Sequence, residues 1–165
     1  MAIGSSKANL GLDAIFVVVG LFILAVVMIF SYQLYTEFND DIQADPDIDA
    51  QAKTTAAGIA TNYPGVFDQT FALFLAILWV ALIVTTYLID TNPAFFVIVF
   101  IMIIITFVLG MELSNQYEEF SGEDGLSGSA ANFPLTNWIM SHLLTIIIVM
   151  VLSAAITLYA KQAGD

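Results

Sequence analysis

The chain has no cysteine and no arginine, one histidine, and only three lysines, Lys7, Lys53 and Lys161. Without cysteine there is no disulfide, no thiolate nucleophile and no thiolate metal site. A lone histidine, His142, without cysteine cannot assemble a haem or zinc centre of the common kinds, so no cofactor is expected. No glycine-rich phosphate loop and no nucleophile elbow occurs. A Ser-His-Asp triad would have to use His142, and no motif surrounds a candidate serine. Enzymatic activity of the chain alone is not expected. Basic charge is equally scarce: fifteen acids against three lysines leave a net charge of −12. Such a chain repels phosphate backbones, which excludes nucleic acid as a partner. The acidic excess suits a saline milieu or a partner with a basic surface.

What the chain has instead is apolar length. Of its 165 residues 59% are hydrophobic and 11% charged, where a soluble domain carries about 25% charged residues. The apolar residues gather into four runs, and about 20 residues at about 1.5 Å each cross a hydrocarbon core of about 30 Å. The runs are Leu12–Tyr35, Phe71–Ile89, Ala94–Leu113 and Asn137–Ala160. A lipid-exposed backbone must satisfy its own hydrogen bonds, so these runs are predicted as helices. The alternating polarity of a membrane barrel is missing. The expected fold is therefore all-α, a polytopic transmembrane bundle of four spans forming one membrane domain. No A-x-A-like cleavage site follows the first run, which reads as a retained anchor.

The connections differ in length. Only "DTNP" separates the second and third runs, where Asp90 can end one helix and Pro93 suits the first turn of the next. A tight antiparallel hairpin is predicted there. The first long acidic loop covers 36–70. In it Asp45–Pro46 reads as a helix start, alanine-rich sequence continues to about Thr61, and "NYPG" turns the chain, which predicts a short surface helix. The second acidic loop, 114–136, is rich in Gly and Ser and predicted flexible, with Tyr117 and Phe120 dipping into the interface.

An even number of spans puts both termini on one side. That side holds Lys7, Lys161 and three acids, Asp13, Asp90 and Asp165; the other holds Lys53 and the remaining twelve acids. The lysine bias places the termini on the inner side, of a cell membrane or of a membrane inside a particle.

Three motifs bear on chemistry or packing. In "DPDID", Asp45, Asp47 and Asp49 stand at i, i+2 and i+4, like the opening of a calcium loop. The sixth and twelfth positions are Ala50 and Ala56 rather than glycine and glutamate. A solvated, helix-capping acidic face is favoured, and no metal site is expected. His142 falls about 7.5 Å inside the fourth span by helical rise, and Glu112 lies near the same end of the third. A His–Glu pair could relay protons, but the central part of every span lacks an ionisable residue. Trp138 and His142 are therefore expected as interface anchors, with Glu112 as a possible polar partner. Small residues recur at four-residue spacing: Thr106, Gly110 and Ser114 on the third span, and Ser141, Thr145, Ser153 and Thr157 on the fourth, with Val149 completing the stripe. Ala72 and Ala76 do the same on the second. Such faces let helices approach closely in lipid.

The stretch "MELSNQYEEF", followed by "FPLTNWIMSHLLTIIIVMVLSAAITLYAK", is similar to small integral membrane proteins of viruses that carry a lipid membrane inside an icosahedral capsid. The likeness consists of a span ending in Asn–Gln–Tyr–Glu–Glu, a proline-containing loop, an Asn–Trp–Ile–Met–x–His opening and a last span closing on Tyr and Lys. It covers the last third of the chain. It implies a structural role in the virion membrane, with outward loops meeting the protein shell, and no catalytic residues. Asp45, Asp47, Asp49, Glu118 and Glu119 would then face capsid or membrane partners of basic surface, beside the lipid bilayer and further copies of the chain. Two other classes fit the same composition: an accessory subunit of a cellular membrane complex, and a holin-like lesion former. The long acidic loops and missing basic tail count against the second.

Overall fold

The computed structural model describes residues 10–88 and 93–164, with side chains for 15–88 and 100–161. The described residues form six helices, α1 (Leu10–Ala44), α2 (Ala50–Leu88), α3 (Pro93–Gly122), α4 (Ser127–Ala130), α5 (Pro134–Ser141) and α6 (Leu143–Gly164), and no strand. Four of them are long and apolar enough to span a membrane. The protein is an integral membrane protein with a helical bundle.

α1 shows how the bundle is built. Val18, Leu21, Ala25, Met28 and Ile29 are buried, on one stripe at helical spacing. Phe16, Ile23, Val27, Phe30 and Leu34 form a second stripe that is exposed. A helix apolar on both stripes packs inward with one and meets lipid with the other. Only 17% to 28% of the 18-residue apolar stretch in each span is buried inside the protein, so most of that stretch faces outward.

α1 packs against α2 and α3, and α6 packs against the same two helices. The order around the bundle is therefore α1, α2, α6, α3. α2 and α3 follow each other in sequence but lie on opposite corners, without substantial contact among the described residues. The predicted hairpin between them is corrected in this respect: each finds its apolar partners on α1 and α6 rather than on the other. Pro93 does open α3; the connecting residues 89–92, like Lys7 and Asp165, lie outside the described residues.

The largest departure from expectation is at the acidic end. Residues 50–70 are not a separate surface helix followed by a turn; they are the first part of α2, which runs on through Pro64. Proline lacks an N–H and crowds the carbonyl four residues back, at a cost of about 3 kcal/mol in a helix interior. Packing offsets this. Pro64 is buried, and next to it Tyr63 stacks on Tyr32 and Phe67 with ring centroids 5.6 and 4.2 Å apart. The helix start is also displaced. Asp49, not Asp45, caps α2, its Oδ1 accepting from the backbone N–H groups of Gln51 at 2.7 Å and Ala52 at 3.0 Å. Asp45 instead closes the turn before it, accepting from Asp47 N–H at 2.9 Å. With 35 and 39 residues, α1 and α2 reach about 52 and 58 Å against a hydrocarbon core of about 30 Å. Their polar ends project together as a helical hairpin, tied by Tyr35 donating to Ala56 O at 3.1 Å and by Lys53 Nζ donating to Gln43 O at 3.0 Å. Residues 114–136 are likewise ordered into the end of α3, α4 and the start of α5. Tyr117 is 1% exposed, sealed inside the protein rather than at its interface.

α3 and α6 approach closely at Gly110. A methyl group there would lie 2.5 Å from Ile147 Cδ1. That atom ends a flexible side chain, so Gly110→Ala should be tolerated. Gly110→Leu should cost about 1–3 kcal/mol by overpacking, and adding Ile147→Ala should recover part of it. Thermal unfolding of the three variants in one detergent checks this; equal melting of Gly110→Leu and the parent would refute the close approach.

Candidate functional site

The polar side chains that matter most converge where the projecting hairpin meets the apolar spans. Asp68 stands at the start of the uncharged run of α2 and is only 4% exposed. Its Oδ2 accepts from Leu135 N–H at 2.9 Å, and its Oδ1 from Thr136 N–H at 2.7 Å. These are N–H groups of the first turn of α5, which a helix cannot satisfy internally. The residue that precedes α5, Phe133, makes no side-chain cap. Its ring is fully buried and sits edge-on to Tyr32 and Tyr63, with centroids 5.6 and 6.4 Å apart. Position 133 thus serves packing, and the cap comes from another helix. Pro134 at the first helical position removes one further donor. The positive end of the α5 dipole and two charge-assisted bonds stabilise the buried carboxylate.

The other long helices hold the same segment. From α3, Ser114 Oγ donates to Met140 O at 2.8 Å, and Tyr117 OH donates to Asn137 Oδ1 at 2.5 Å. Asn137 Nδ2 in turn donates to Ala130 O at 2.8 Å, joining α5 to α4. From α1, Gln33 Oε1 accepts from Ser129 Oγ of α4, while Gln33 Nε2 donates to Glu37 at 2.8 Å. α1, α2 and α3 therefore each contribute a polar group to the α4–α5 cap. Asp68 has both oxygens committed to backbone and almost no exposure, so the arrangement acts as a latch between helices.

The residues singled out from sequence divide between this site and the outer surface. Thr106 and Ser114 are buried, and Gly110 touches Ile147, so that face of α3 packs inward. On the fourth span Ser141 and Thr145 are exposed, Val149 is 42% exposed, and Ser153 and Thr157 are intermediate. The inward side of that span is Ile139, Met140, Leu143, Ile147 and Met150. The span itself is interrupted at His142, which separates α5 from α6. His142 is exposed and stacked on Trp138, with centroids 4.9 Å and planes 19° apart, and its Nδ1 lies 2.9 Å from Trp138 O. That bond to a carbonyl requires the proton on Nδ1. Glu112 is also exposed, and accepts from Gln116 at 3.3 Å. The structure does not bring Glu112 and His142 together. Asp45, Asp47, Asp49, Glu118 and Glu119 are all exposed. No group of three or more potential metal ligands occurs among the described residues.

In the sequence Asp68 is one of twelve acids on the same side of the membrane-spanning runs. The available signal was its position: a lone carboxylate bordering an apolar run, with a Phe-Pro pair opening another span. Asp68→Ala should leave two N–H groups unpaired, at about 1–3 kcal/mol each, while Asp68→Asn keeps one acceptor. Thermal stability should fall in the order parent, Asn, Ala, and amide hydrogen exchange at Leu135 and Thr136 should quicken in the same order. Unchanged exchange in Asp68→Ala would mean that α5 does not depend on this carboxylate.

Comparison with protein-family models, with curated proteins and with solved structures finds no match for this chain.

Proposed function

We propose that the chain is a structural membrane protein of a virion, one that organises a lipid membrane lying inside a protein shell and meets that shell through its acidic end. The observation that carries this is the division of labour along the bundle. The polar contacts of the buried site hold helices to one another, and the spans present bulky apolar side chains such as Phe100, Val108, Leu152 and Ile156 outward. The charge is gathered on a rigid projection instead, with Asp45, Asp47 and Asp49 at its tip and Glu118 and Glu119 at the end of α3. A projection of this kind is suited to holding something at a fixed height above a membrane. Opposite potentials would draw a basic shell surface to it. The likeness of the last third to internal-membrane virus proteins supports the same reading. A role as accessory subunit of a cellular complex is the alternative, favoured by the extent of outward apolar surface, which a larger membrane partner could cover as well as lipid.

Native material separated gently on a density gradient, with mass spectrometry of each band, tests the proposal. The chain should travel with lipid and shell proteins in one dense band, and raising the salt should loosen its link to the shell, since exposed charge pairs are screened. Migration with cellular membrane enzymes, or as a small free oligomer, would overturn the virion assignment.

A further inference from the structure

The projecting part of α2 carries a second feature, along its exposed side. From Thr54 to Phe67 the helix has no charge. A shallow groove there is lined by Ile59, Tyr63, Val66 and Phe67, with Thr55, Gly58 and the exposed Asn62 between them. Ile59, Val66 and Phe67 are 49%, 60% and 40% exposed. The groove continues onto α1 through a row of rings. Phe67 stacks on Tyr63 at 4.2 Å, Tyr63 on Tyr35 at 6.5 Å, and Tyr35 meets Phe38 at 6.3 Å. Phe38 is 58% exposed.

Height decides what can cover this surface. Asp68 borders the uncharged run that enters the hydrocarbon. Ile59 lies nine residues before it, about 13 Å higher by helical rise, whereas the headgroup layer adds only about 5–8 Å on each side. Phe67 and Val66 fall within reach of lipid. By this measure Ile59 and Phe38 stand beyond it, where exposed apolar side chains grouped on one surface mark a protein contact.

Charge decides which protein. Asp41 follows Phe38 at i+3 and shares its face of α1, Asp45 lies just past the end of that helix, and both are exposed. The lysine of the hairpin, Lys53, turns its Nζ to Gln43 O at 3.0 Å. A second copy would bring another chain of net charge −12 within a screening length of about 8–10 Å. We infer that this groove docks an amphipathic basic segment of another protein. Apolar side chains of that segment seat over Gly58 between Ile59 and Tyr63, and its Lys or Arg residues reach Asp41 and Asp45. The inference rests on the reading of the acidic end as a partner-facing surface, and supplies its contact chemistry.

The glycine provides a clean test. A Cβ on Gly58 meets nothing within 4 Å, so Gly58→Trp fills the groove from an open position without entering the bundle. The probe is a fluorescent 14-residue Leu/Lys helical peptide, titrated by anisotropy against the full chain in nanodiscs of zwitterionic lipid, with empty discs subtracted. The parent should bind it. Gly58→Trp should weaken binding about tenfold or more, as loss of a central apolar anchor does, and Asp41→Asn about threefold, at an unchanged melting temperature. Equal binding by Gly58→Trp and parent, or equal binding of a peptide with Ser in place of every Leu, would overturn the groove while leaving the acidic surface and its place in a virion untouched. Dimerisation of the parent in the discs that Gly58→Trp abolishes would overturn the basic occupant in favour of a second copy.

Discussion

A buried carboxylate at the border of the uncharged run of α2, held by two backbone N–H groups, is the constraint on which the rest of this bundle turns. Asp68 is nearly inaccessible, and its oxygens lie 2.9 and 2.7 Å from the donors of α5. A charge in such a place must be compensated, and the free donors of a helix start must be satisfied. Each solves the other's problem. The pairing fixes α2 against α5, and thereby the height at which the last span enters. Ser114 and Tyr117 set the same segment against α3, and Gln33 sets α4 against α1. Four helices with largely uniform apolar surfaces have little in their packing to choose one vertical register over another. The polar ring at the boundary supplies that choice.

Below the ring the packing needs little more than complementary size. The stripe of α1 that faces inward holds Ala25 at a point of full burial, and α3 offers Gly110 to Ile147. Above the ring the aromatic group of Tyr32, Tyr63, Phe67 and Phe133 takes over. It holds α1 and α2 together after they have left the lipid, and it compensates for Pro64 inside α2. Membrane bundle and projecting hairpin are thus continuous, with one set of helices serving both.

The sequence disclosed the spans because their length and lack of charge have a single physical explanation. It disclosed the inward face of α3 because Thr106, Gly110 and Ser114 are the small residues that close approach needs. It misled where local rules were overridden by distant contacts. "NYPG" has the composition of a turn, yet Pro64 is buried and Tyr63 is stacked on Tyr32 of another helix and edge-on to the distant Phe133. The cap of α5 was illegible for the same reason: nothing near Phe133 announces that its N–H groups are met by a side chain 67 residues earlier. The stripe of Ser141 and Thr145 illustrates the converse, since spacing identifies a face but not the direction in which it looks.

The uninterrupted hairpin has a mechanical side. Two paired helices, stacked through aromatic rings and anchored at their base by the Asp68 latch, bend far less readily than a loop of equal length. Sideways displacement of the tip at Pro46 would be passed down the rods as tilt of α1 and α2 within the bilayer. Whatever grips many such tips at fixed spacing would therefore dictate the inclination of the spans beneath it, and with that the local curvature of the lipid.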